Sequence, residues 1–162
     1  MAVNEQREQQ SGGRRLPVEP TGSAQAAQPT QTTQAAPETE TASFYERIGG
    51  EPVFRALVQR FYEGVAGDPE LRALYPEQDL GPAQERLTLF LIQYWGGPTT
   101  YSDERGHPRL RMRHAPFRVD ADARDRWLRH MREAVEQLRL APADETELWN
   151  YLERAAHFMV NA

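Results

Sequence analysis

The chain has 162 residues, about the length of one domain, and its 39% hydrophobic share is enough for a real core. It contains no cysteine, which excludes disulfides, thiolate metal sites, iron–sulfur clusters and cysteine nucleophiles, and permits a reducing cytoplasm. The formal charge is −5 and all 19 basic side chains are arginine, which argues against bulk binding to nucleic acid or an anionic membrane and removes lysine Schiff-base chemistry.

Residues 1–42 carry seven glutamines, four prolines and no aromatic residue, and their only large aliphatics are Met1, Val3, Leu16 and Val18. Such a segment buries too little surface to offset its ordering entropy, so a disordered tail is expected there. No apolar run approaches the ~20 residues of a membrane span, and no stretch of signal-peptide length marks the chain for export.

From Ser43 the pattern changes. Ser43-Phe44-Tyr45-Glu46 has capping-box spacing and predicts a helix that Gly49-Gly50 ends. Pro52 suits a first helical turn, after which Val53, Phe54, Leu57, Val58, Phe61, Tyr62 and Val65 recur at helical spacing as far as Gly67. Asp68-Pro69 opens a short helix with Leu71, Leu74 and Tyr75, closed by Pro76. Gly81-Pro82 opens the next, with an expected apolar face of Leu87, Phe90, Leu91 and Tyr94, closed by Gly96-Gly97-Pro98. Residues 98–108 read as a polar loop, and Pro108 begins a short helix through His114. Asp120 caps a long helix with Trp127, Leu128, Met131, Val135 and Leu138, and Pro142 permits a last one with Leu148, Trp149, Leu152, Ala155, Ala156 and Met159. The reading is all-α: six or seven helices, too short and too punctuated for a simple up-down bundle.

Catalytic motifs are sparse. His107, His114, His130 and His157 lack the i, i+4 spacing of a helical zinc site, and there is no HExxH, GxSxG, P-loop or GxGxxG. The carboxylates read as solvated, with arginine neighbours. What stands out is a set of polar-tipped aromatics on apolar faces, Tyr62, Tyr75 and Trp127. Periodicity alone favours phenols and an indole that reach backbone carbonyls in a plain core.

Phe61-Tyr62, Leu74-Tyr75-Pro76-Glu77, the run Glu85–Pro98 with its Gln93-Tyr94-Trp95-Gly96-Gly97-Pro98, Tyr101-Ser102, the run Arg105–Phe117, Trp127-Leu128, Tyr151-Leu152 and Ala155-Ala156-His157 follow one another in order. Together they resemble a group II truncated haemoglobin, a bacterial globin, over essentially all of 43–162. The resemblance implies a truncated globin domain at 43–162, with two pairs of helices in a two-over-two sandwich around haem, a very short first helix (Ser43–Ile48) and a loop at 96–108.

The resemblance also implies roles. His114 matches the proximal ligand of haem b (iron protoporphyrin IX), with its second ring nitrogen held by an acceptor. Arg113 is expected on a haem propionate, with Arg111 as a weaker candidate. Phe90, Leu91, Leu110, Met112 and Phe117 are expected along the apolar slot. Tyr62, Tyr75 and Trp127 match the distal polar set, with Trp127 and Tyr75 as main donors to a bound gas. Ala83 stands where larger globins carry a distal histidine, and Leu87 matches the apolar neighbour above the iron. His157 is expected to be structural, His130 to lie on the exposed side of its helix, and His107 to lie in the loop.

The function implied is a cytoplasmic haem protein that binds dioxygen tightly at a five-coordinate iron, with carbon monoxide, nitric oxide and peroxide as further ligands. Peroxidase or nitric oxide dioxygenase activity at the same haem is the alternative. Either needs a separate reductase, because the chain has no flavin or nicotinamide motif. A haem-free helical interaction module is the third possibility, in which Tyr62, Tyr75 and Trp127 serve only as core.

Overall fold

The computed structural model describes residues 41–162. The expected tail at 1–42 therefore lies almost wholly outside the described residues. Among these there are eight helices and no strand: α1 Phe44–Ile48, α2 Glu51–Ala66, α3 Pro69–Arg72, α4 Gly81–Tyr94, α5 Thr100–Arg105, α6 Leu110–His114, α7 Ala121–Gln137 and α8 Pro142–Met159. None of the described helices is long and apolar enough to cross a membrane.

The local signals act as their chemistry requires. Ser43 Oγ accepts from the Glu46 N–H and the Glu46 carboxylate accepts from the Ser43 N–H, each at 3.2 Å, closing the capping box of α1. Gly49 ends that helix at φ 115°, a left-handed conformation that favours glycine. At the other glycine pair Gly96 is again left-handed, at φ 99°, whereas for Gly97 the reason is space. A Cβ on Gly97 would lie 2.6 Å from Ile92 Cγ2 and 2.9 Å from both the Ile92 carbonyl oxygen and the Tyr45 ring. Glycine there lets α1 settle against the end of α4, where the Tyr45 N–H donates to the Trp95 carbonyl at 3.0 Å.

The core is built on α2, which packs against both α4 and α7, while α7 packs on α8. Phe54, Leu57, Val58, Phe61, Tyr62 and Val65 are buried at the i, i+3, i+4 positions expected of one helix face. Each large apolar side chain so buried contributes roughly 1.5–3 kcal/mol of transfer free energy. Met131, Ala134 and Val135 of α7, Leu91 and Ile92 of α4, and Leu148 and Leu152 of α8 complete the same cluster.

Four expectations need correction. Residues 98–108 are not simply loop: Thr100–Arg105 form α5, which brings the number of helices to eight. One apolar residue was too little periodicity to reveal it. The helix is held by Tyr101, which is buried against the Phe90 ring, and by the Gln93 amide, which donates to Ser102 Oγ (2.7 Å) and accepts from the Ser102 N–H (2.9 Å). Tyr94 does not join the buried face of α4 but stands 49% exposed. His130 is not on an exposed side, since only 13% of its side chain is accessible. His157 is exposed rather than structural, with Arg124 Nη1 3.4 Å from its Nδ1.

His130 is inside because α2 offers bare backbone opposite it. A Cβ on Gly64 would lie 2.5 Å from His130 Nδ1 and 3.1 Å from His130 Cβ. Gly64→Ala therefore sets two effects against each other. Helix propensity favours alanine by about 1 kcal/mol, whereas forcing a methyl into a closed helix crossing costs roughly 1–3 kcal/mol. The expected outcome in urea unfolding is net destabilisation, and a gain in stability would show that the crossing relaxes freely.

Candidate haem pocket

One cavity of about 600 Å3 opens between the helices, within the range of small-molecule and cofactor sites. Its wall includes Tyr62 from α2, Tyr75 from the segment after α3, Ala83, Leu87, Phe90 and Leu91 from α4, Leu110 and His114 from α6, Phe117 just beyond, and Trp127 from α7. These residues are spread over 66 positions of sequence, from 62 to 127, and the fold brings them to one space. Arg113 also lines it. Arg111 and Met112 do not: Arg111 turns outward to donate to the Phe158 carbonyl at 2.6 Å, and Met112 is 61% exposed.

His114 is fixed through one ring nitrogen. Its Nδ1 lies 2.7 Å from the Leu110 carbonyl oxygen, one turn back on the same short helix. A carbonyl only accepts, so Nδ1 carries a proton, and it is then Nε2 whose lone pair the neutral ring offers to a metal. In helix α6 only Leu110 packs against the core, partly buried, and hydrogen bonds from neighbouring segments hold the rest. The Asn161 amide nitrogen donates to the His114 carbonyl (3.2 Å) and the Phe117 carbonyl (2.9 Å), while its Oδ1 accepts from the Val119 N–H (2.9 Å). Arg113 Nε donates to the Pro108 carbonyl (2.7 Å) and its Nη2 to the Arg105 carbonyl (2.8 Å), pinning the segment that leads into α6. Arg109, before α6, sits at φ 42° and ψ 49°, a left-handed conformation that is strained for a residue with a Cβ.

The polar-tipped aromatics converge. Tyr62 and Tyr75 meet edge to face with ring centroids 5.7 Å apart, and Phe61 lies 5.1 Å from Trp127. Burial pushes the Tyr75 phenol up to about 12, while the nearby polar tips of Tyr62 and Trp127 offset part of that rise. Burial, reinforced by Tyr75, also lifts Tyr62 well above the usual phenol range. Both phenols therefore stay protonated, and stay donors, throughout the physiological range.

A tetrapyrrole fits this donor set. Among the described residues no three His, Asp or Glu side chains converge on a metal position. A single imidazole facing a largely apolar cavity suits a metal that brings its remaining ligands with it.

Sequence reasoning missed several wall residues, including Leu71, Tyr101, Val119, Tyr151 and Met159. It also missed Asp68, by treating the carboxylates as solvated. The Asp68 side chain is 5% exposed. It caps α3 by accepting from the Leu71 N–H (3.2 Å), and it accepts from Arg126 Nη1 (3.3 Å), Arg129 Nη2 (3.0 Å) and His130 Nε2 (2.9 Å) of α7. Its spacing before Pro69 announces the cap; nothing local announces the three partners about 60 residues on. The His130 hydrogen bond, helped by the Leu71 N–H and Arg126, holds its carboxyl at about 2 against the opposing effect of burial. The folded value lies below the ordinary 3.8, so the stabilisation is complete above that pH and is lost as pH falls towards about 2. Asp68→Asn is expected to flatten the acid limb of the unfolding free energy between those values, and unchanged slopes would remove Asp68 as the clamp.

Comparison with known proteins places this architecture. The profile of the bacterial-like globin family matches residues 43–161. The group 2 truncated hemoglobin YjbI of Bacillus subtilis is 41% identical over 119 residues, covering 74% of this chain and 76% of that protein. The crystal structure of a thermostable hemoglobin from the actinobacterium Thermobifida fusca is 64% identical, with a TM-score of 0.74, over 75% of this chain and 98% of that one. The structure of a truncated oxygen-avid haemoglobin from Bacillus subtilis is 40% identical, with a TM-score of 0.70, over 74% of this chain and all of that one. The chain belongs to the bacterial-like globin family, with the two-over-two fold of the group II truncated haemoglobins, a family whose membership implies haem binding.

Proposed function

We propose that this globin holds haem b through His114 and binds dioxygen with high affinity through hydrogen bonds from Tyr75, Trp127 and Tyr62. The observation that carries the reading is the shared cavity: an imidazole fixed through Nδ1 faces the same space as three aromatic donors. Haem, when bound, supplies an iron that takes up diatomic gases. The oxygen-avid description of the Bacillus subtilis relative supports dioxygen as the gas that matters. Carbon monoxide, nitric oxide and peroxide belong to the same ligand class.

The protein's own part is division of labour. His114 contributes the ligand nitrogen and Leu110 the acceptor that keeps it available. Phe90, Leu91, Leu110 and Phe117 exclude water from the slot, and the aliphatic Leu87 with the small Ala83 leave that wall without a histidine. Arg113, whose Nη1 bonds to none of the described residues, is the candidate for a propionate. The phenol and indole donors are held in place before any ligand arrives, so their stabilisation of negative charge on a ligand needs little reorganisation.

A hydrogen bond to a charged acceptor contributes about 1.5–3 kcal/mol. Removing one distal donor should therefore speed ligand release by roughly ten- to a hundredfold. A cytoplasmic location and a separate reductase belong to the same proposal, and a cysteine-free chain is compatible with a reducing compartment.

The test begins with absorption spectra of purified protein: ferric, dithionite-reduced, and then exposed to air and to carbon monoxide. A Soret band that shifts with reduction and with each gas is expected. Colourless protein that also fails to take up haemin would overturn the reading. His114→Ala is expected to lose haem during gel filtration, and full retention would remove it as the ligand. Trp127→Phe is expected to release dioxygen faster by roughly the factor above in stopped-flow measurements, and an unaltered rate would remove Trp127 as a donor.

A further inference from the structure

We infer that the stacked pair Tyr94–Tyr151 is a surface oxidation site, through which an anionic aromatic reductant too large for the cavity delivers electrons to the haem pocket when hydrogen peroxide is the oxidant. The inference rests on the haem reading above.

The geometry is a short aromatic bridge from the cavity to water. Tyr151 lines the haem cavity and also a neighbouring groove formed by α4, α6 and α8, and Tyr94 lines that groove. Their ring centroids are 3.9 Å apart at an interplanar angle of 21°, the shortest separation of any aromatic pair among the described residues. Trp95 meets both edge-on, at 5.2 Å and 5.5 Å. Tyr94 is 49% exposed, so the bridge ends in solvent.

Where an oxidising equivalent comes to rest is decided by the proton. A phenol that loses an electron becomes a strong acid, and the radical persists where a base takes that proton. Water at Tyr94 can take it. The Trp95 indole Nε1 is buried with no acceptor among the described residues, so Trp95 is a poor resting place. Tyr151 is only partly exposed, whereas its stacked neighbour Tyr94 is 49% exposed, so a hole on Tyr151 passes to the ring that can release its proton to water. Tyr62, 6% exposed, and the half-buried Tyr75 have no comparable access to water, although they face the same cavity.

The groove next to Tyr94 is suited to an aromatic anion. Phe158 is 60% exposed, and the Arg111 guanidinium lies over its ring, 5.1 Å from the centroid. Arg154 lines the same groove. Neither Arg111 nor Arg154 forms an ion pair with a carboxylate among the described residues. A phenol that carries a carboxylate or sulfonate can place its ring against Phe158 and Tyr94 and its charge against these cations.

The step balances as follows. One hydrogen peroxide takes up two electrons and two protons, its O–O bond breaks, and it leaves as two waters. Each electron drawn through Tyr151 leaves Tyr94 as a neutral radical with its proton released to water. A phenolic reductant then returns one electron and one proton to Tyr94 and departs as a phenoxyl radical. Two turns consume one peroxide and two phenols.

The experiment treats ferric holoprotein with hydrogen peroxide, first alone and then with a phenolsulfonate tethered to dextran, which cannot enter the cavity. Alone, the wild type is expected to form dimers linked by dityrosine at residue 94, seen by fluorescence and peptide mapping, with a tyrosyl signal in freeze-quenched electron paramagnetic resonance. Tyr94→Phe is expected to lose the dimers and the oxidation of the tethered phenol while keeping the wild-type Soret band and gas spectra. Tyr151→Phe is expected to lose the dimers as well. Dimers that persist in Tyr94→Phe, or unchanged oxidation of the tethered phenol, would overturn the inference and leave haem binding untouched. A wild type that consumes peroxide and forms no dimer would also overturn it. Absence of a Soret band in the wild type would instead remove the haem reading, and this one with it.

Discussion

Asp68 stands at the junction on which the cavity depends. A single carboxylate caps α3 through the Leu71 N–H and receives Arg126, Arg129 and His130 from α7. Tyr75 follows α3 within one turn, and Trp127 lies between Arg126 and His130 on α7. The clamp therefore sets the distance between two donor-bearing segments, although neither Asp68 nor its three partners on α7 line the cavity. Gly64 makes the clamp possible, because a side chain there would collide with the His130 ring and push α7 away from α2. Two neighbouring devices, one steric and one electrostatic, hold the same crossing closed.

The side that carries His114 is built differently. Its helix is five residues long, and only Leu110, partly buried, packs against the core. Polar contacts place the rest: the Leu110 carbonyl on the ring, the Asn161 amide on the carbonyls of 114 and 117, and the Arg113 guanidinium on the carbonyls of 105 and 108. A segment held by hydrogen bonds at the protein surface is easier to open than one held by a core. The aromatic donors, by contrast, stand on elements tied into the α2–α7 core. The imidazole thus depends chiefly on polar contacts for its position, and Tyr62 and Trp127 on the packing of α2 and α7.

Arginine does several kinds of work in a chain without lysine. It forms surface pairs with acidic residues, such as Arg55 with Glu51 and Glu85, which contribute little individually. It forms carbonyl clamps, as at Arg72, which donates to the carbonyls of Tyr75, Glu77 and Gln78 and so shapes the turn after Tyr75. The planar fork allows one side chain to span several carbonyls, which a lysine ammonium does less well.

The order and type of most helices were legible in the sequence, because capping residues, glycine pairs and 3.6-residue periodicity are local signals. Capping at Ser43, Asp68 and Asp120 and the buried stripe from Phe54 to Val65 are of this kind. Most of the residues that line the cavity from the expected set were reached through motif resemblance rather than through periodicity, which left Tyr62 and Trp127 as ordinary core, whereas Arg111 and Met112 turn away from it. What tertiary structure alone decided is long-range partnership. Asp68 looked solvated until α7 supplied its cations, His130 looked exposed until Gly64 opened a place for it, and Tyr94 looked buried although α8 stacks on one face of its ring and leaves the rest to water. α5 escaped notice because its anchors, Tyr101 on Phe90 and Gln93 on Ser102, are contacts between elements. Local sequence determines which backbone each segment prefers, whereas the burial and ionisation of a polar side chain depend on what arrives from elsewhere in the chain, and that is written only in the packed structure.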